Sequence, residues 1–201
     1  GAIVWLWPTL RQNVALLFFV QHLGTNLALG TLFGRSLLGG GEALITQLAR
    51  AVHQGALSER KRRHTRQATL AWTLFFLGMF LGAALFGRLA DRVGRRNVLI
   101  VTVACDAVFG LASAFSPDFQ WLLALRFLTG AAVGGTLPVD YAMMAEFLPP
   151  KNRGRWLVWL EGFWALGTLI VALTAWAAAT WALGAPWKLI YIVAALPACI
   201  G

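Results

Sequence analysis

Four ionisable side chains lie inside runs that are otherwise apolar for the width of a bilayer: Asp106, Arg126, Asp140 and Glu161. A charge at the centre of a hydrocarbon layer costs roughly 2.5–3.5 kcal/mol, so each is a functional candidate by default. A carboxyl group can exchange a proton. A guanidinium offers a planar fork of donors to an anion, and Trp164, close to Glu161, offers a ring on which a flat solute can stack. On one helix, Asp140 lies about 40° around the axis from Arg126 and about 21 Å along it. The two share a face and cannot pair, but they could line one path. Asp106 and Glu161 each have a plainer reading as well, a structural hydrogen bond to a neighbouring helix. There is no nucleophile–base pair, metal-ligand cluster or phosphate loop, which argues against an enzyme and against any cofactor.

Composition says what must position these groups. Of the 201 residues, 59% are hydrophobic and 12% charged, against about 25% charged in a soluble domain. The expected fold class is therefore an all-α membrane protein, a bundle of about six transmembrane helices. The net charge is +9, but the cations fall in short clusters between apolar runs. That suits loops on an anionic lipid surface, not a nucleic-acid face. Cys105 and Cys199 sit in apolar runs and read as small fillers, with no disulfide framework. The sequence starts without Met, shows no signal-peptide pattern, and its last apolar run stops at Gly201, as expected of a fragment or incomplete gene product.

The spans follow from run length. The first candidate, 14–33, is diluted by Gln21, His22 and Asn26. Residues 44–57 have amphipathic spacing and suit a surface helix. Regular spans are expected at 68–86, at 97–115 with Asn97 as cap, at 121–148, at 156–183, and from Trp187 onward. Two domains result: 1–67, an atypical segment with one candidate span and a basic loop, and 68–201, a bundle cut in its sixth span. The turns with Arg88, Arg92, Arg95 and Arg96, and with Lys151, Arg153 and Arg155, fall on one side. Positive charge stays inside, so loops 87–97 and 149–155 are expected in the cytoplasm, below a multi-pass cell (plasma or inner) membrane. Trp121, Trp181 and Trp187 suit the outer interface and Trp156 the inner one. The cluster Arg60–Lys61–Arg62–Arg63, with Arg66, opposes this rule, because it would sit outside. Either the first span inserts unusually, or residues 1–67 depart from the usual pattern through, for example, an upstream frame error.

Three motifs carry a resemblance. Gly87-x-x-x-Asp91-Arg92-x-Gly94-Arg95-Arg96 lies between the second and third spans. Arg126-x-x-x-Gly130-x-x-x-Gly134-Gly135 lies in the fourth. Pro138-Val139-Asp140-Tyr141, Glu146-Phe147-Leu148-Pro149 and Arg153-Gly154 close that span. Together they resemble the N-terminal half of a major facilitator superfamily transporter, over residues 68–201 and not 1–67. The branch is sugar-porter-like. Leu160-Glu161-Gly162-Phe163-Trp164 is most similar to niacin and aromatic-acid proton symporters and to the synaptic-vesicle-glycoprotein-like group. The resemblance implies a cytoplasmic charge network in which Asp91 and Arg95 pair the loop with helices of the other half, steadying one face of the transporter, and Glu146 and Arg153 bridge to Arg88, Arg92 or Arg95. Gly130-x-x-x-Gly134 in the fourth span and Gly78-x-x-x-Gly82 in the second are small-x-x-x-small faces suited to close helix packing, and the resemblance implies a second six-helix half absent from this chain. The expected activity is proton-coupled symport of an aromatic or other small organic acid, with Arg126 as counter-charge. A sugar carrier and a truncated, non-transporting half are the alternatives. The fifth span lacks the Gly-Pro signature of drug antiporters, which favours uptake over export.

Overall fold

The computed structural model describes residues 14–38, 42–53, 58–148, 153–180 and 188–194. All its regular structure is helical: α1 (Val14–Leu38), α2 (Leu44–His53), α3 (Glu59–Val93), α4 (Arg95–Ala114), α5 (Phe119–Phe147) and α6 (Arg153–Thr180), then a helical stretch at 188–194. Among the described residues, three helices are long and apolar enough to cross a membrane: α3, α4 and the Phe119–Met144 part of α5. The apolar part of α6, Gly162–Ala178, is shorter.

The longest element departs from the expected pattern. The sequence suggests a basic loop and then a span from residue 68, yet α3 runs unbroken for 35 residues from Glu59. Arginine and lysine are good helix formers. Ser58 caps the start, its hydroxyl accepting from the Lys61 N–H at 3.4 Å, and Glu59 sits favourably against the helix dipole. The cluster from Arg60 to Arg66 therefore forms the first turns of a spanning helix. At 1.5 Å per residue α3 is about 52 Å long, well beyond a hydrocarbon core of about 30 Å.

A single residue separates α3 from α4. Gly94 has φ 98°, a region that side chains with a Cβ avoid, and its N–H caps the Ala90 carbonyl. Helix α4 already starts at Arg95, so the expected cap at Asn97 is not one; its side-chain amide donates back to the Val93 carbonyl at 3.4 Å. The turn after α4 spans Phe115 to Asp118, and α5 ends where Leu148 becomes extended (φ −86°, ψ 139°) ahead of Pro149.

Helices α3 and α5 form the centre, with α1 against α3 and α4 against α5. The central contact is backbone on backbone. A Cβ at Gly78 would run into the Phe127 carbonyl, one at Gly82 into Ala131, one at Gly130 into Phe75 and one at Gly134 into Met79. Such small-residue seams are how helices associate where lipid removes the hydrophobic drive. The interior is otherwise built of Ala and hydroxyl residues. Thr69, Thr102 and Ser113 are fully buried, and each donates to a carbonyl about one turn back, at 2.8, 3.0 and 2.8 Å. The large apolar side chains, among them Leu81, Leu85, Ile100, Val108 and Trp121, point outward. This small-inside, large-outside order is that of a lipid-solvated bundle.

Candidate functional site

The turn at Phe115–Asp118 folds the start of α5 back beside the end of α4, and this puts Arg126 against Ser113. The guanidinium Nη2 donates to Ser113 Oγ at 3.1 Å, and Ser113 in turn donates to the Phe109 carbonyl. The Arg126 guanidinium carbon lies 4.6 Å from the centre of the Tyr191 ring, a cation–π contact. Asp106, two turns back along α4, is near enough for the two opposite charges to attract. Arg126 Nε is buried and has no hydrogen-bond partner. The charge is thus held in place and only partly satisfied, as a group awaiting an anion would be.

Arg126 opens into a cavity of about 510 Å³ whose walls include Trp72, Phe75, Phe119, Tyr191, His64 and Gln67. Trp72 stacks on Phe76 with ring centres 5.6 Å apart and meets Phe75 edge-on. A cationic fork beside flat aromatic walls suits a ring bearing a carboxylate. A second cavity, of about 420 Å³, lies further along α5, where Asp140 and Tyr141 face Phe163, Trp164 and Thr168 of α6. Asp140 and Trp164 are thus brought to one site and Arg126 lines the other, whereas Asp106 lines neither cavity and acts on Arg126 only through its charge. Glu161 lies on α6 about two turns from its start; its side chain falls outside the described residues.

At the Gly94 end, Arg95 forms an ion pair with Glu146 and reaches Asp91 at 3.9 Å. The end of α5 therefore meets the α3–α4 turn. Arg88 donates to the Ala84 carbonyl at 3.4 Å, and Arg92 and Arg96 are exposed. Gly87 lies within α3. The Arg153 side chain is outside the described residues, as are the sixth-span start at Trp187 and the loop 149–152.

Sequence reasoning missed Ser113, Tyr191 and the Trp72–Phe75 wall. Ser113 is an ordinary small residue in an apolar run, and Tyr191 is distant in the chain; only the fold brings them to Arg126. Asn26 of α1, in sequence terms a polar dilution of its span, is buried, and its Nδ2 has no hydrogen-bond partner among the described residues.

Long apolar helices, a glycine seam and charges turned inward define a multi-pass, all-α membrane protein. Residues 43–201 match the Major Facilitator Superfamily, and the chain belongs to that family. The match starts ahead of residue 68 and takes in α2 and the basic start of α3. Among curated relatives, the chain is similar to a niacin transporter of Acinetobacter baylyi, 41% identical over 123 residues, which is 61% of this chain and 27% of that protein. It is also similar to organic cation/carnitine transporter 7 of Arabidopsis thaliana, 41% identical over 111 residues (55% and 22%). Synaptic vesicle glycoprotein 2A of Rattus norvegicus is 39% identical over 104 residues (52% and 14%). The matched region spans about a quarter or less of the length of these relatives.

Proposed function

We propose that this chain is the first bundle of a proton-coupled carrier for small organic acids, with aromatic carboxylates as the preferred class. The observation that carries this reading is Arg126, fixed by Ser113 and Tyr191, incompletely hydrogen-bonded, and facing an aromatic-walled cavity. The similarity to a niacin transporter supports the same class. Asp106 is the proton-exchanging group in this reading, since it shares the field of Arg126: an arriving anion competes with it for the guanidinium. Asp140, Glu161 and Trp164 continue the path toward the Gly94 end. Alternating access comes from rocking of this bundle against a second one about a midplane site. The charged turn, through Gly87, Asp91, Arg92, Gly94, Arg95, Arg96, Glu146 and Arg153, steadies one of the two states. The protein resides in the plasma or inner membrane with that turn in the cytoplasm.

The test is uptake of labelled nicotinate and benzoate by the full-length protein in liposomes under an imposed pH gradient. Accumulation should be competed by other aromatic carboxylates and not by hexoses. Competition by hexoses alone would replace the organic acid with a sugar, and no gradient-driven uptake of either would remove the carrier assignment. Arg126→Ala should lower kcat/KM about 10–100-fold, the worth of a charge-assisted hydrogen bond. Arg126→Lys should recover only part of it, because an ammonium lacks the planar fork.

A further inference from the structure

His64 and Gln67 turn from the start of α3 toward the Arg126 cavity, while the other side of these turns and the short helix α2 form a separate surface. Between residues 42 and 67, six cationic side chains face two carboxylates. Both carboxylates are engaged: Glu42 pairs with Arg50 and, at 3.4 Å, with Arg62, and Glu59 lies 3.5 Å from Arg62. Arg60, Lys61, Arg63 and Arg66 are exposed, and no ion pair involves them among the described residues. Arg60, Arg63 and Arg66 recur at i, i+3, i+6, so like charges line up along one side of the helix, which is unfavourable without counter-charge.

Helix α2 is held beside this stripe in one orientation. Thr46 is buried and shares a 2.6 Å hydrogen bond with Thr65 of α3, and Ser36 of α1 accepts from the Leu44 N–H at 3.1 Å. With Thr46 turned inward, the apolar side of α2 faces away from the bundle: Leu48 is 57% and Val52 78% exposed. An apolar stripe and unpaired cations thus occur together, level with the start of the apolar part of α3. Hydrophobic burial and anionic attraction are what an interfacial helix requires of its surroundings.

We infer that α2 and the α3 basic turns form an anionic-phospholipid docking ledge: α2 lies in the headgroup layer, with Leu48 and Val52 toward the acyl chains and Arg60, Lys61, Arg63 and Arg66 on lipid phosphates. This assignment needs a bilayer and does not depend on which solute is carried. Native mass spectrometry of the full-length protein, eluted with mixed phosphatidylglycerol and phosphatidylcholine, measures the lipid preference. Replacing Arg60, Lys61, Arg63 and Arg66 by Gln should weaken the preference for phosphatidylglycerol roughly fivefold per charge, while Arg92→Gln with Arg96→Gln at the far end should leave most of it. An unchanged preference in the quadruple variant would overturn the ledge. A nitroxide at Leu48→Cys, in a background without Cys105 and Cys199, gives an independent reading. Relaxation by oxygen dissolved in the bilayer supports the assignment. Relaxation mainly by a water-soluble nickel complex overturns it, and so does shielding from both, which would mean that a protein surface covers α2.

Discussion

At the residue scale, two charged contacts differ in what they are worth. The Arg95–Glu146 pair is substantially exposed, with Glu146 57% accessible, so water and salt screen it. A double-mutant cycle on thermal unfolding with Arg95→Gln and Glu146→Gln should return a coupling of only about 0.2–1 kcal/mol; a much larger value would mean the pair is buried in the complete protein. Arg126 is the opposite case, a charge whose partners are few and chosen. If Asp106 exchanges the transported proton, Asp106→Asn should abolish accumulation driven by a pH gradient and leave solute exchange across equilibrated liposomes, a split read by running both assays on one preparation. Both residues were legible in the sequence, because a charge within an apolar run stands out. Ser113, Tyr191 and Trp72 were not, since their relevance depends on a turn that places α4 beside α5.

At the scale of elements, the glycine seam makes the sharpest expectation. Ala at Gly82 or Gly134 puts a methyl group into the facing backbone, where neither helix has a side chain to move aside. Each change should destabilise the bundle by about 1–3 kcal/mol or more, read as a lowered unfolding midpoint in detergent. Gly162 and Gly167 on α6 have open space around them, so Ala there should be neutral in the same assay. Seams of this kind are readable as small-x-x-x-small spacing, and the spans as run length. The start of α3 was not, because hydropathy marks where lipid begins and not where a helix begins. Arg60 to Arg66 are polar and yet helical, held by Ser58 and by good intrinsic propensity. The placement of Asn97 erred for a related reason: a glycine with positive φ can end one helix and start the next without a polar cap between them.

At the scale of the whole molecule, the bundle is basic at both ends of α3, which a count of loop charges alone would treat as a contradiction. The positive-inside rule concerns short loops and residues near span ends, and the cluster from Arg60 to Arg66 belongs to a helix that projects past the apolar layer. With the Gly94 turn in the cytoplasm, a membrane-impermeant thiol reagent applied outside intact cells should label Arg63→Cys and spare Arg92→Cys, in a background without the native cysteines. The reverse pattern would invert the topology.

The unbroken length of α3 has a mechanical consequence. Its tight contact with α5 is off-centre. From Gly82 the helix extends about 34 Å back to Glu59 but only about 16 Å forward to Val93. Tilted about that contact, α3 is a lever with unequal arms. A displacement of the short arm at the charged turn is roughly doubled at Glu59 and enlarged about one-and-a-half-fold beside His64 and Gln67, at the mouth of the Arg126 cavity.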